Sequence, residues 1–327
     1  MRSRASSIFN LITLVIGVAA LVLVLGALGW AGIDQAIVGT GAWFAVIAVI
    51  DLVSVMCDAF AIHGFLGGRV GYWNVFAAQA SGLAINRLTP GNTLGEPVKV
   101  TMLVRTVPAT LAVAAVVMFN LTTMYLGIAA IALGVPLTAA LLDLPHSAAV
   151  VAWVGLAVLL ALALGLALLV RRGAVVTLVH AVANLRLISA ERRERWSSQL
   201  VELDGRLKEL GHAGKPGIRR GFIGVLGSRL CNWAGTITVI HACGIDLTPP
   251  LVVAMLSVGI LVTWFSNIIP LGLGIADGTN YALYGVLGAS PAEGLIFTMV
   301  NRVRTVLLAL MGLTIMAIAN AIARARH

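Results

Sequence analysis

The feature that most constrains this chain is a series of apolar runs, each about as long as a membrane is thick. A helix needs about 20 residues to cross ~30 Å of hydrocarbon. Runs of that order occupy about 8–29, 41–63, 107–133, 147–170, 219–243 and 292–320, and shorter ones fill 73–88, 250–269 and 278–288. Mean hydropathy over the 327 residues is +1.00 and only 11% are charged, too few polar groups to coat a soluble globule. The sequence therefore predicts an all-α polytopic membrane protein.

Charge placement sets the orientation. The net charge is +9, and eleven of the 22 Lys and Arg fall between Arg171 and Arg220, with others at the termini and at Arg69. That is the pattern of positively charged cytoplasmic loops, and it argues against nucleic acid as a partner. Segments around Asp34, Asp143, Asp246 and Glu293 hold no Lys or Arg and are expected outside. The opening "MRSRASSIF" has the basic start of a signal peptide, but no clear small-residue cleavage site follows, so a retained first helix is expected. Cys57, Cys231 and Cys243 show no metal-ligand spacing and read as small buried hydrophobes.

The one extended polar stretch is 171–218. Within it "SAERRERWSSQLVELDGRLKELG" places Trp196, Leu200, Leu203, Leu207 and Leu210 three and four residues apart, predicting an amphipathic helix within 181–212. It would lie on the cytoplasmic surface, as a solvated connection or as a partner-binding element.

With every basic loop and both termini inside, 73–105 and 250–289 cannot each cross once; parity requires two re-entrant hairpins. Their breaks resemble each other: Asn86-Arg-Leu-Thr-Pro90-Gly91-Asn-Thr-Leu-Gly95-Glu96, and Asn267-Ile-Ile-Pro270-Leu-Gly272-Leu-Gly274-Ile-Ala-Asp277-Gly278. Each runs from Asn to Pro to glycines to a carboxylate, and Pro90 and Pro270 lie 180 residues apart. The expected architecture is an inverted-topology repeat of about six full spans plus two hairpins. Residues 1–140 form the first half, with the hairpin 73–105 entering from the cytoplasm. Residues 141–327 form the second, with 250–289 entering from outside. Gly/Pro-interrupted segments at matching positions of inverted repeats point to a transport site near the midplane. Chance similarity of two loop breaks is the competing explanation.

Ten ionisable residues fall within predicted spans or hairpins: Asp51, Asp58, His63, Arg87, Glu96, Lys99, Arg229, Asp277, Arg302 and Arg304. A charge at the bilayer centre costs at least ~2.5–3.5 kcal/mol, so such residues need partners or a ligand. His63, Arg304 and Asp58 lie near enough to span ends to reach the interface. Arg87, Lys99, Arg229 and Arg302 are expected to line an internal cavity, with Glu96 and Asp277 at the breaks. Arginine grips phosphate oxygens bidentately and lysine acts as a point charge, so the expected guest is an anionic lipid headgroup. The competing arrangement pairs Arg87 with Glu96 and a later arginine with Asp277 purely to hold the fold. The sequence shows no nucleotide-binding loop, metal motif or nucleophile set, so neither an enzyme nor a cofactor is expected.

"TPGNTLGE", "IPLGLGIADG" and "NRVRTVLLALMGL" in the last span together resemble the transmembrane family of the lysylphosphatidylglycerol synthases, the flippase-like integral membrane proteins. The family's Pro…Gly-Glu motif falls on Pro90, Gly95 and Glu96. Its Pro/Gly-rich turn ending in acid-Gly falls on Pro270, Gly272, Gly274, Asp277 and Gly278, with Asp where the family usually has Glu. A family arginine matches Arg302. Fused members carry a soluble aminoacyl-transferase domain, whereas this chain ends at His327 soon after the last span. The resemblance thus implies lipid translocation without synthesis, in the cytoplasmic membrane of a bacterium or archaeon. The alternative is a non-transporting subunit that recruits a lipid-synthesising enzyme or glycosyltransferase through the 181–212 helix. A second copy of the chain is a further candidate partner.

Overall fold

The structure, a computed structural model, describes residues 38–92, 94–142, 146–171, 215–266 and 274–325, with isolated positions between Ile12 and Val22. The expected amphipathic helix in 181–212, most of the first apolar run, and Asn267, Pro270 and Gly272 lie outside the described residues.

Among those residues the chain is helical, without a strand. The helices are α1 (Trp43–Phe65), α2 (Tyr72–Leu88), α3 (Gly95–Leu103), α4 (Ala109–Leu141), α5 (His146–Arg171), α6 (Lys215–Ala242), α7 (Pro249–Ser266), α8 (Ile275–Val286) and α9 (Pro291–Ala325). A short 3₁₀ turn, Pro90–Asn92, separates α2 from α3. Among the described residues four helices are long and apolar enough to cross a membrane: α1, α4, α7 and the Pro291–Ile322 part of α9. Val49, Leu133, Leu162, Phe222, Phe265 and Ile318 are exposed on the outside of the bundle. Such an exterior suits lipid rather than water.

The boundaries follow from local chemistry. Proline disfavours helical conformation in the residue before it. Thr89 is accordingly extended (φ −114°, ψ 144°) and ends α2 in front of Pro90. The chain then turns through two left-handed residues, Gly91 (φ 71°) and Asn92 (φ 51°). Glycine adopts that conformation without a Cβ clash, and asparagine tolerates it better than most residues. At α9, Ser290 and Glu293 form a reciprocal cap. The Ser290 N–H donates to Glu293 Oε2 at 3.0 Å and the Ala292 N–H donates to Ser290 Oγ at 3.3 Å.

α3 turns back along α2. Gly95 packs against Asn86 and Gly82, and Lys99, one turn further on, also packs against Gly82. The approach is so close that a Cβ on Gly95 would sit 1.9 Å from the Gly82 carbonyl oxygen. α3 has nine residues and α8 has twelve, so both are too short to cross the hydrocarbon alone.

Packing among the long helices uses small residues, the usual device where lipid supplies no hydrophobic drive between helices. α1 and α6 meet along a glycine seam: a Cβ on Gly64 would lie 2.7 Å from Gly221 N, and one on Gly224 would lie 2.6 Å from Ala61 N. α2 packs on α9 where Gly312 faces Ala80, and α4 packs on α7 where Gly134 faces Ser257. α3 also packs on α4, and α8 on α9. Apolar clusters fill both ends of the bundle. One centres on Ile62, Phe65, Val75, Leu103 and Phe119, the other on Ile47, Ile240, Leu251, Tyr284 and Phe297.

Candidate functional site: a charged cavity inside the bundle

Between these clusters lies a cavity of about 450 Å³. Its polar lining comes from α1 (Asp51, Ser54, Asp58), α2 (Gln79, Asn86, Arg87), α3 (Glu96, Lys99) and α4 (Asn120, Thr123). α6 adds Ser228, Arg229, Asn232 and Trp233, and α8 and α9 add Asn280, Asn301, Arg302 and Arg304. Five cations thus face three carboxylates in the lining, and a fourth carboxylate, Asp277, pairs with Arg302 from just beside it, which leaves one positive charge in excess. Arg87, Glu96 and Lys99 of the first hairpin and the distant Arg229 and Arg302 line this one cavity.

The tip of the α2–α3 hairpin is organised by Asn86. Its Oδ1 accepts from the Gly95 N–H at 2.6 Å, satisfying one of the first N–H groups of α3, and its Nδ2 donates to Glu96 Oε1 at 2.9 Å. Glu96 also accepts from Lys99 Nζ and from Asn120 Nδ2, each at 2.9 Å. Lys99 is 3% exposed and its ammonium lies 5.4 Å from the centre of the Phe119 ring. Both carboxylate oxygens are therefore engaged by neighbours other than Arg87, so the Arg87–Glu96 pair of the competing arrangement does not form.

On the opposite side Asp277 accepts from the Gly274 N–H at 2.9 Å, capping α8, and from Arg302 Nη2. This is the pairing of a later arginine with Asp277. Asp277 itself lies beside the lining rather than in it, next to the lining residue Ala276. Gly274 has φ 82°, a backbone conformation that glycine accommodates where α8 begins; Gly278 lies exposed in the first turn.

Arg304 needs correction. It does not reach the interface: its side chain is 11% exposed and its Nε donates to Asp51 Oδ2 at 2.7 Å, while Nη2 donates to Oδ1. Asp58 likewise turns inward, accepting from Gln79 Nε2 at 3.1 Å. His63 lies at the end of α1, with its ring edge-on to Tyr72.

Arg87 and Arg229 make no ion pair among the described residues. Arg229 Nη2 donates to the Thr123 carbonyl at 3.2 Å. Arg87 Nε is buried without a hydrogen-bond partner, within electrostatic range of Asp51, Asp58 and Arg304. Buried polar atoms without partners are uncommon, and a row of them along one cavity marks room for a polar guest. Gln79 Oε1, Thr123 Oγ1, Trp233 Nε1, Ser266 Oγ, Asn280 Oδ1 and Arg302 Nε are in the same condition, all on lining residues.

Sequence reasoning missed the neutral part of this lining. Its signal is a polar stripe at helical spacing inside an apolar run, as in Asp51–Ser54–Asp58 and Ser228–Asn232–Thr236. Those two stripes meet: Asn232 Nδ2 donates to Ser54 Oγ at 2.9 Å, and the Ser54 and Ser228 hydroxyls lie 3.1 Å apart.

An apolar exterior, helices of membrane-spanning length and a cationic internal cavity define a polytopic membrane protein with a buried polar site. The chain belongs to the family of the lysylphosphatidylglycerol synthase TM region, whose profile it matches over residues 10–312. Comparison with curated proteins and with solved structures returned no match. Membership ties the chain to the modification or transport of membrane lipids.

Proposed function

We propose that the protein is a flippase or transporter that moves an anionic, phosphate-bearing lipid or lipid-linked precursor across the cytoplasmic membrane through this cavity. It does no covalent chemistry on its cargo in this reading. The observation that carries it is the charge excess of the cavity together with Arg87 and Arg229, which lack carboxylate partners. A buried guanidinium without a counter-ion is costly, and a phosphate offsets that cost with bidentate geometry. A subunit that only recruited another enzyme would have no need of such a cavity.

The architecture that supports this reading is an inverted repeat of 1–140 and 141–327, with both termini cytoplasmic and two re-entrant hairpins. Several packing relations have a counterpart across the two halves: α2 on α9 and α7 on α4, α3 on α4 and α8 on α9, with α1 against α6 between them. The acid of each hairpin is ion-paired, Glu96 with Lys99 on the same helix and Asp277 with Arg302 on α9. Facing hairpins around one site are the parts alternating access needs.

Native mass spectrometry of the purified chain tests the site. Wild type is expected to carry a phosphate-bearing lipid adduct, and Arg87→Gln with Arg229→Gln to lose it while still folding. An adduct unchanged in the folded double variant contradicts the assignment.

A further inference from the structure

One acid at the cavity is left over by the ion pairs, and it bears on what drives transport; this step rests on the phosphate-lipid reading above. We propose that the proton is a second substrate of the cavity. Asp58 takes one up when an anionic lipid binds and releases it when the lipid leaves, so the two cross the membrane together.

Three of the four acids are committed: Asp51 to Arg304, Glu96 to Lys99 and Asp277 to Arg302. Asp58 makes no ion pair among the described residues, and its Oδ2 accepts from Gln79 Nε2 at 3.1 Å. The oxygen of that same amide, Gln79 Oε1, is buried without a donor, on a residue only 2% exposed. A carboxylate can only accept, so it cannot answer that oxygen. A protonated Asp58 can. Its O–H would donate to Gln79 Oε1 while Nε2 still donates to Oδ2, the closed two-bond pairing of an acid with an amide. One proton on Asp58 thus satisfies a buried acceptor that the carboxylate leaves unanswered.

The surroundings link that proton to the lipid. Asp58 lies in the fields of Lys99 and Arg229 and within electrostatic range of Arg87. Without a guest, its negative charge balances Arg87 and Arg229, the two lining cations that lack ion pairs among the described residues. A lipid phosphate on those guanidiniums takes over that balance and sets a second negative charge near Asp58, and like charges sharing a site favour protonation of one. By reciprocity, a proton on Asp58 tightens the hold on the anion. One phosphodiester with one proton is an electroneutral cargo, so the membrane potential does not oppose its crossing. The other groups around Asp58 have other occupations. α3 brings the Glu96–Lys99 pair, and Arg302 and Arg304 of α9 are paired, as is Asp51 on α1. α4 lines the cavity with the neutral Asn120 and Thr123. Cys57 on α1 and Cys231 on α6 are thiols, which ordinarily titrate near pH ~8.5. His63 ordinarily titrates near pH ~6.5 but packs on Tyr72 at the end of α1.

The test titrates the purified full chain in detergent with radiolabelled phosphatidylglycerol from about pH 5 to about pH 8, a range in which the lipid phosphate keeps its charge. Wild-type affinity is expected to fall about tenfold as pH rises. Asp58→Asn should hold the low-pH affinity throughout, because its amide copies the protonated acid and can donate to Gln79 Oε1. Asp58→Glu should restore the slope, and His63→Gln should keep it. In weak buffer, wild type should also take up protons on binding phosphatidylglycerol and none on adding diacylglycerol, a readout that needs no variant. In proteoliposomes a pH gradient should drive fluorescent phosphatidylglycerol into the leaflet on the alkaline side. Wild-type binding that is flat or rises with pH, binding without proton uptake, a slope kept by folded Asp58→Asn, or one lost in His63→Gln overturns the proton inference and leaves phosphate recognition standing. Diacylglycerol bound as well as phosphatidylglycerol, or no phosphatidylglycerol bound at any pH, overturns the transport reading as well.

Discussion

Arg304, midway along α9, holds both carboxylate oxygens of Asp51 on α1, 253 positions earlier in the chain. Asp51 is 4% exposed, so this pair ties the two halves of the bundle together at the edge of the cavity. Removing one partner of a buried pair strands the other charge. Asp51→Asn and Arg304→Gln should each cost about 3–5 kcal/mol of stability, and the double variant should recover part of the loss. Thermal unfolding in detergent measures this; single variants that melt with wild type would show that the pair carries no stability.

The hairpin tip depends on one amide. Asn86→Ala removes the acceptor that caps α3 and a donor to Glu96, with an expected loss of about 1–2 kcal/mol. Asn86→Asp keeps the cap but sets a second carboxylate against Glu96, so it should not restore wild-type stability. Melting temperatures of the two variants decide; full rescue by Asp would show that the cap alone matters.

Gly127 on α4 leaves space for two lining side chains. A Cβ there would lie 3.0 Å from the Trp264 ring and 3.3 Å from Arg229 Nη2. Gly127→Ala should push both into the cavity and lower lipid retention several-fold with little change in melting. Gly155→Ala, whose Cβ meets nothing within 4 Å, is the matched control. Equal retention by the two variants would show that the Arg229–Trp264 wall does not touch the cargo.

Cys243, just beyond the end of α6, would report on the outer surface in the proposed orientation. Burial pushes its thiol up to about 11. Burial disfavours the thiolate, so labelling is slow at neutral pH and speeds up as pH rises. In a Cys57→Ser, Cys231→Ser background, maleimide labelling should climb about tenfold per pH unit and keep rising past pH 9. Membrane-impermeant reagent should reach it from the outside. A plateau near pH 8.5, or labelling only from the cytoplasmic side, would contradict the burial or the proposed orientation.

Much of this was legible in the sequence, because a bilayer leaves few options for an apolar run. The run 41–63 became Trp43–Phe65, and 73–88 became Tyr72–Leu88, ended at the residue before Pro90 as steric reasoning requires. Long-range pairing was less legible. The spacing of Arg304 along its span does not reveal that Asp51 lies opposite, and the position of Arg87 near Glu96 suggested a pair that Asn86, Lys99 and Asn120 pre-empt. Neutral residues such as Gln79 and Asn280 drew no attention because an amide in a span costs far less than a charge. Only folding shows that they gather in one place.

The most direct measurement of the central claim is lipid movement between leaflets of proteoliposomes, followed with a fluorescent phosphatidylglycerol under leaflet-selective quenching. Wild type should move the lipid, and folded Arg87→Gln, Arg229→Gln protein should fall to the level of protein-free vesicles. Movement by the folded double variant at the wild-type rate would contradict the account.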